Sequence, residues 1–129
     1  MADLANVTTT SGDGYPFAES MTTSVTQRDA ATVLAVAGEV DLATAPALEN
    51  AIDAALTAKP SALVIDLSEV SFLASAGMAA LVAVHKRAGD TRIAVVADGP
   101  ATSRQLKMTS LDQVFSLHST LDAALTSLR

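Results

Sequence analysis

A chain of 129 residues, half of them apolar but only 3% aromatic, has the size of one domain whose modest core Ala, Val and Leu must fill. Its formal charge of −6 argues against nucleic acid as a partner, and without cysteine there is no disulfide, thiolate metal site or thiol catalysis. No apolar run reaches the ~18 residues that cross a bilayer, and the first residues lack the basic-then-apolar order of a secretory signal, so a cytoplasmic location without membrane insertion is expected.

Residues 1–23, rich in Thr, Ser, Gly and Asp, read as a mobile tail with local contacts near Tyr15 and Phe17, which leaves 24–129 as the domain. Ser24–Gln27 fits an edge strand, Asp29-Ala30 a turn and Thr32–Ala37 a second strand, together an antiparallel hairpin. Gly38-Glu39-Val40-Asp41 ends it with two carboxylates spaced by two, which an extended chain points to one side. Thr44 caps a helix that tolerates Pro46 in its first turn. Its core-facing stripe is Leu48, Ala51, Ile52, Ala55 and Leu56, and Lys59-Pro60 closes it.

Ala62–Ile65 is an apolar run of the length of a strand covered on both faces. Asp66, Ser68, Glu69 and Ser71 supply turn chemistry, and Phe72-Leu73 dip back toward a core. Ser75, ahead of Ala76-Gly77-Met78 and the run Ala79–Val84, reads as the N-cap of a nearly all-apolar helix. His85, Lys86 and Arg87 place positive charge at its carbonyl end, and Gly89 stops it. Arg92–Val96 is a strand, Asp98-Gly99-Pro100 a turn, Thr102–Thr109 a short helix and Val114–Leu117 a short strand. Ser119 with Asp122 begins a last helix whose stripe is Leu121, Ala124, Leu125 and Leu128.

The order ββαβαβαβα predicts an α/β fold with a mixed, mostly parallel sheet of about five strands and about four helices. Binding surfaces in such folds gather at the carboxyl ends of the strands, where Asp41, Asp66 and Ser75 are expected.

GEVD at 38–41, the Thr-capped helix, VIDLSEVSFLASAGMAAL at 64–81 and LDAAL at 121–125 together resemble the anti-sigma factor antagonists, the stand-alone members of the STAS domain superfamily. The resemblance covers roughly residues 24–129 and implies the STAS fold. It also implies a partner, an anti-sigma factor that is an ATP-dependent serine kinase, whose capture liberates a sigma factor for transcription. Phosphorylation of the serine at the helix start, here Ser75, would end the interaction until a serine phosphatase reverses it. By position, the partner surface falls on Gly38, Glu39, Asp41, Thr44, Ala76, Gly77 and Met78, with Asp66 beside Ser75. Two departures stand out: Ala74 and Ala76 occupy places where the family commonly has aspartate and serine, so Ser75 is the one hydroxyl at this mouth.

Each feature has a plainer rival. Ser75 could be a cap alone, and Glu39 an ordinary strand-end charge. Asp41 and Asp66 as metal ligands is a lesser reading, because strand-end carboxylates more often satisfy loop amides, and no cofactor is expected. His85 and His118 read as a helix-end charge and a surface residue. An enzyme is not expected: Leu73 stands where a G-x-S-x-G elbow needs its first glycine, and neither a phosphate loop nor a G-x-G-x-x-G turn is present. The alternative function is an accessory STAS subunit of a transporter or membrane-associated complex, acting by protein binding without phosphorylation. A monomer or weak dimer is expected.

Overall fold

The computed structural model describes residues 9–10 and 21–129. Three strands, β1 (Thr9–Thr10), β2 (Met21–Arg28) and β3 (Ala31–Val40), form an antiparallel edge, with Arg28 opposite Ala31 across the tight turn. Asp29 supplies that turn with a left-handed backbone, φ +55°, which short polar side chains tolerate. The chain continues through α1 (Ala45–Thr57), β4 (Ala62–Leu73), α2 (Ser75–Arg87), β5 (Arg92–Val96), α3 (Ser103–Met108), β6 (Ser116–His118) and α4 (Leu121–Ser127). β3, β4, β5 and β6 pair in parallel, and the sheet order follows the chain order from β1 to β6. The five expected strands and four helices are present, joined by the two-residue strand at Thr9–Thr10. Tyr15 and Phe17 lie outside the described residues.

Alternation along the strands sorts the apolar residues onto two faces. Leu34, Val36, Leu63, Ile65, Leu67 and Val95 meet Leu48 and Ile52 of α1, Leu81 and Val84 of α2, and Leu106 of α3. On the opposite face Ala31, Val33, Ala62, Val64, Ala94 and Val96 meet Ala124 and Leu125 of α4, with Leu121 and Leu128 packed alongside. The second face, half alanine and half valine, is covered by α4, while the larger side chains of the first face meet three helices. The stripes expected on α1 and α4 are therefore the faces that pack. Arg87 of α2 reaches Asp53 (2.8 Å) and Glu49 (3.6 Å) of α1, and its hydrogen bond to Asp53 raises its pKa above the usual arginine value. All three side chains are half in solvent, so this bridge orients the helices more than it stabilises them. No helix among the described residues is long and apolar enough to cross a membrane.

Several boundaries differ from the sequence reading: β3 runs over Ala31–Val40 rather than Thr32–Ala37, and β6 over Ser116–His118 rather than Val114–Leu117. β2 begins at Met21 rather than Ser24, and Met21 is buried. The final helix is capped by Thr120, whose hydroxyl accepts the Ala123 amide (3.1 Å), and not by Ser119. Most consequentially, β4 does not stop at Ile65 but runs twelve residues to Leu73. Its pairing with β3 slips twice: Leu67 and Ser68 together face Val36, and Ser71 is an extra residue between Val70 and Phe72. The turn-forming residues make bulges inside the strand and not a loop after it. Asp66 Oδ1 accepts the Ser68 amide (3.0 Å) at the first bulge, and Ser71 Oγ donates to the Gly38 carbonyl (3.3 Å) at the second.

Candidate functional site

The extended β4 carries the chain to the end of β3, where Ala74 N donates to the Val40 carbonyl (2.8 Å). Ala74 has an extended backbone and its carbonyl accepts from Gly77 N (3.0 Å) and Met78 N (3.1 Å), so Ala74 is the N-cap of α2. This corrects the expectation for Ser75. It occupies the first helical position, there is no side-chain cap hydrogen bond, and its side chain is exposed. The helix thus begins without using the Ser75 hydroxyl, which is left facing solvent.

Gly77 sets how closely α2 approaches the sheet. A methyl group there would lie 2.5 Å from Val40 Cγ1 and 2.8 Å from Leu73 Cδ1, too close for either strand end to accept without moving. Gly77 and Met78 are buried, and Ala76 is partly buried against the core. Thr109 Oγ1, following α3, lies 3.6 Å from Met78 Sδ, so the start of α2 also touches the α3 end.

Beside this mouth lies the turn from Gly38 to Thr44. Gly38 has φ +100°, a conformation that favours glycine, within β3. Thr44 stands at the N-cap of α1 but makes no cap bond with its side chain. Its hydroxyl turns back instead, accepting from Asp41 N (2.8 Å) and donating to the Glu39 carbonyl (2.9 Å). Asp41 Oδ1 accepts from the amides of Ala43 (3.0 Å) and Thr44 (3.1 Å), while its carbonyl accepts from Ala45 N (2.8 Å). Thr44 is thus the N-cap residue of α1 as expected, through its carbonyl, which accepts from Leu48 N (3.1 Å), and the Asp41 side chain closes the turn ahead of it. The two carboxylates do not share one direction: Asp41 is drawn into the turn and half-buried, while Glu39 is exposed.

Of the residues the sequence pointed to, the structure brings Glu39, Asp41, Ser75 and Ala76 to one exposed end. Thr44, Gly77 and Met78 lie beneath it, where they shape the surface without forming it. Asp66 is not there. It pairs with Ala35 and with Val96, seven residues before the end of β4, which at the rise of a strand puts it roughly 20 Å from Leu73. A charge at Asp66 cannot act directly on Ser75. Two residues escaped the sequence reading: Leu42 is 81% exposed in the turn, and Phe72, opposite Glu39, is 49% exposed and not directed into the core. Their signal was present as large apolar side chains beside turn residues, but the bulge that turns Phe72 outward was not foreseen. This end of the sheet thus carries two exposed apolar side chains, Leu42 and Phe72, the exposed Glu39 carboxylate and the exposed Ser75 hydroxyl.

The sheet order and the serine at the head of α2 are those that the resemblance to a STAS domain implied. The STAS domain family model matches residues 22–124, and the chain belongs to that family. The anti-sigma-F factor antagonist RsfB of Mycobacterium tuberculosis is 44% identical over 112 residues, covering 86% of this chain and 92% of that protein. Among solved structures, an anti-sigma factor antagonist from Mycobacterium paratuberculosis is 50% identical with a TM-score of 0.82, over 85% of this chain and 95% of that one. SpoIIAA from Bacillus, in its unphosphorylated form, gives a TM-score of 0.68 over 83% of this chain and 96% of its own, and at 14% identity the likeness is one of fold.

Proposed function

We propose that this protein is an anti-sigma factor antagonist that acts by binding, not catalysis. The patch around Ser75 docks onto an anti-sigma factor carrying serine kinase activity, a sigma factor is released for transcription, and phosphorylation of Ser75 ends the contact. The observation that carries this reading is the exposed Ser75 hydroxyl at the first position of α2, unused by the helix cap. A kinase can reach it, and a partner must cover it. Leu42 and Phe72 give the patch apolar anchors, Glu39 a rim charge, and the identity to anti-sigma factor antagonists gives the class of partner.

Phosphate on Ser75 adds roughly −1.5 to −2 charges and three acceptor oxygens. The amides of Gly77 and Met78 already bond to Ala74, so the first-turn amides free to meet it are those of Ser75 and Ala76. The folded domain accommodates the group locally, while a closely packed interface must desolvate it. A penalty of ~3 kcal/mol weakens binding roughly a hundredfold. A serine phosphatase completes the cycle.

The test is incubation with a purified cognate anti-sigma kinase and ATP, followed by phosphopeptide mapping and partner titration. Label on Ser75, absent from Ser75→Ala, is expected. Ser75→Ala should bind and resist release, and Ser75→Glu should bind weakly, as a mimic with less charge. Equal affinity for all three forms would remove Ser75 as the control point. Failure to bind or be labelled by any of the cell's candidate kinases would point instead to an accessory STAS subunit.

A further inference from the structure

The last two strands of the sheet do not start level. β6 begins at Ser116, opposite Ala94, so Arg92 and Ile93 at the start of β5 have no neighbouring strand on that side. The step leaves a notch of about 460 Å³ between the ends of α2 and α4, whose walls include His85, Ala88, Arg92, Ile93, Ser116 and Leu128. It lies at the far end of α2 from Ser75, and its volume is one that small-molecule sites take.

The fold leaves hydrogen-bond donors unused here. Ala97 N donates to the His118 carbonyl (2.9 Å), so alternation along β5 points the Ile93 N–H to the same side, where it has no partner among the described residues. Ser127 Oγ donates to the Ala124 carbonyl (2.7 Å), hence it accepts in its 3.1 Å contact with His118 Nε2, which carries the proton. Ser116 Oγ, 2.7 Å from the same nitrogen, accepts too, and its own proton is left over. Arg92 donates to the Leu128 carbonyl, and its guanidinium enters no salt bridge among the described residues. No acidic side chain lines the notch, although acids outnumber bases in the chain, and Asp90 lines the adjoining concavity instead.

A guanidinium, an amide and a hydroxyl without a carboxylate among them match an anion. The carbonyl ends of α2 and α4 oppose one, each with about half a charge. Their sum is close to what one arginine offsets, which suits a monoanion and disfavours a phosphate dianion. We propose that this notch binds a small aliphatic carboxylic acid as its anion. Arg92 meets the carboxylate with its planar fork, and Ile93 N and Ser116 Oγ donate to its oxygens. The aliphatic body rests on Ala88, Ile93 and Leu128. The site is separate from Ser75 and does not rest on the phosphorylation reading.

The experiment titrates the full chain at constant ionic strength with sodium isovalerate, with its neutral amide isovaleramide and with sodium chloride, followed by amide spectra and hydrogen exchange. Saturable shifts at residues 85–93, 116 and 127–128 with isovalerate alone are expected, with slower exchange at Ile93 N–H. Arg92→Gln keeps a donor for the Leu128 carbonyl but removes the charge, and should weaken binding about tenfold. Ser116→Ala, at an exposed position, should weaken it while leaving the spectrum beyond the notch unchanged. Isovaleramide binding as tightly as isovalerate would overturn the assignment, as would chloride reproducing the shifts. So would the absence of saturable shifts with isovalerate up to about 20 mM, or affinity undiminished in both variants.

Discussion

A single hydroxyl holds the turn next to the proposed docking patch. Thr44 is 2% exposed, and its Oγ1 joins Asp41 N to the Glu39 carbonyl, so both backbone groups depend on it. Thr44→Val keeps the shape and removes the hydroxyl, leaving a donor and an acceptor short of a partner. The expected loss is ~1–3 kcal/mol of stability, measured by urea unfolding, with most of it restored in Thr44→Ser. A valine variant as stable as the parent would show that the turn is held some other way. Thr44 was legible as the residue that begins α1, because Thr before an amphipathic stripe is a strong signal. That its hydroxyl faces backward was not: Pro46 has no N–H for it to accept, and the Asp41 amide and the Glu39 carbonyl behind it take the hydroxyl instead.

At the scale of elements, α2 rests on the ends of β3 and β4 with Gly77 as the point of contact. Gly77→Ala must push the helix away from Val40 and Leu73, at a cost of ~1–3 kcal/mol, and tilt Ser75 with it. Both thermal stability and partner affinity should fall. Adding Val40→Ala to the same chain should recover part of the loss, because it removes the atoms nearest the new methyl. Strictly additive losses in the double variant would argue against this steric account. The strands of the core were readable from parity and apolarity, as Leu63 and Ile65 show. The length of β4 was not readable, because Asp66, Ser68 and Ser71 carry the same chemistry in a bulge as in a loop. The misplacement of Asp66 beside Ser75 follows from that one ambiguity, and so does the reading of Phe72 as buried.

Over the whole molecule, two apolar layers clamp the sheet from opposite sides, and the proposed docking patch lies at the end of the strands, with Met78 and Ala76 beneath it on the first layer. Ser75 itself is exposed, so the proposed modification enters no packed interior, and control by occlusion is expected. Amide spectra of phosphorylated and unmodified protein should differ at residues 38–44 and 72–80 and coincide on α4 and β6. Large differences on α4 would mean that the domain rearranges. The mixed sheet and its helix order were evident from the alternation of patterns along the chain, as the family resemblance also implied. The small strand at Thr9–Thr10 was not, because two residues carry no periodicity.

The β2–β3 turn has one more use. Asp29 and Ala30 are exposed at the start of β3, whose ten residues put them roughly 30 Å from the strand end beside Ser75. The chain has no cysteine, so Ala30→Cys would create a unique attachment point for a dye or a surface linker. Anchored there, the molecule would present the Ser75 end outward, and partners arriving at the proposed patch could be counted by an instrument that never stands in their way.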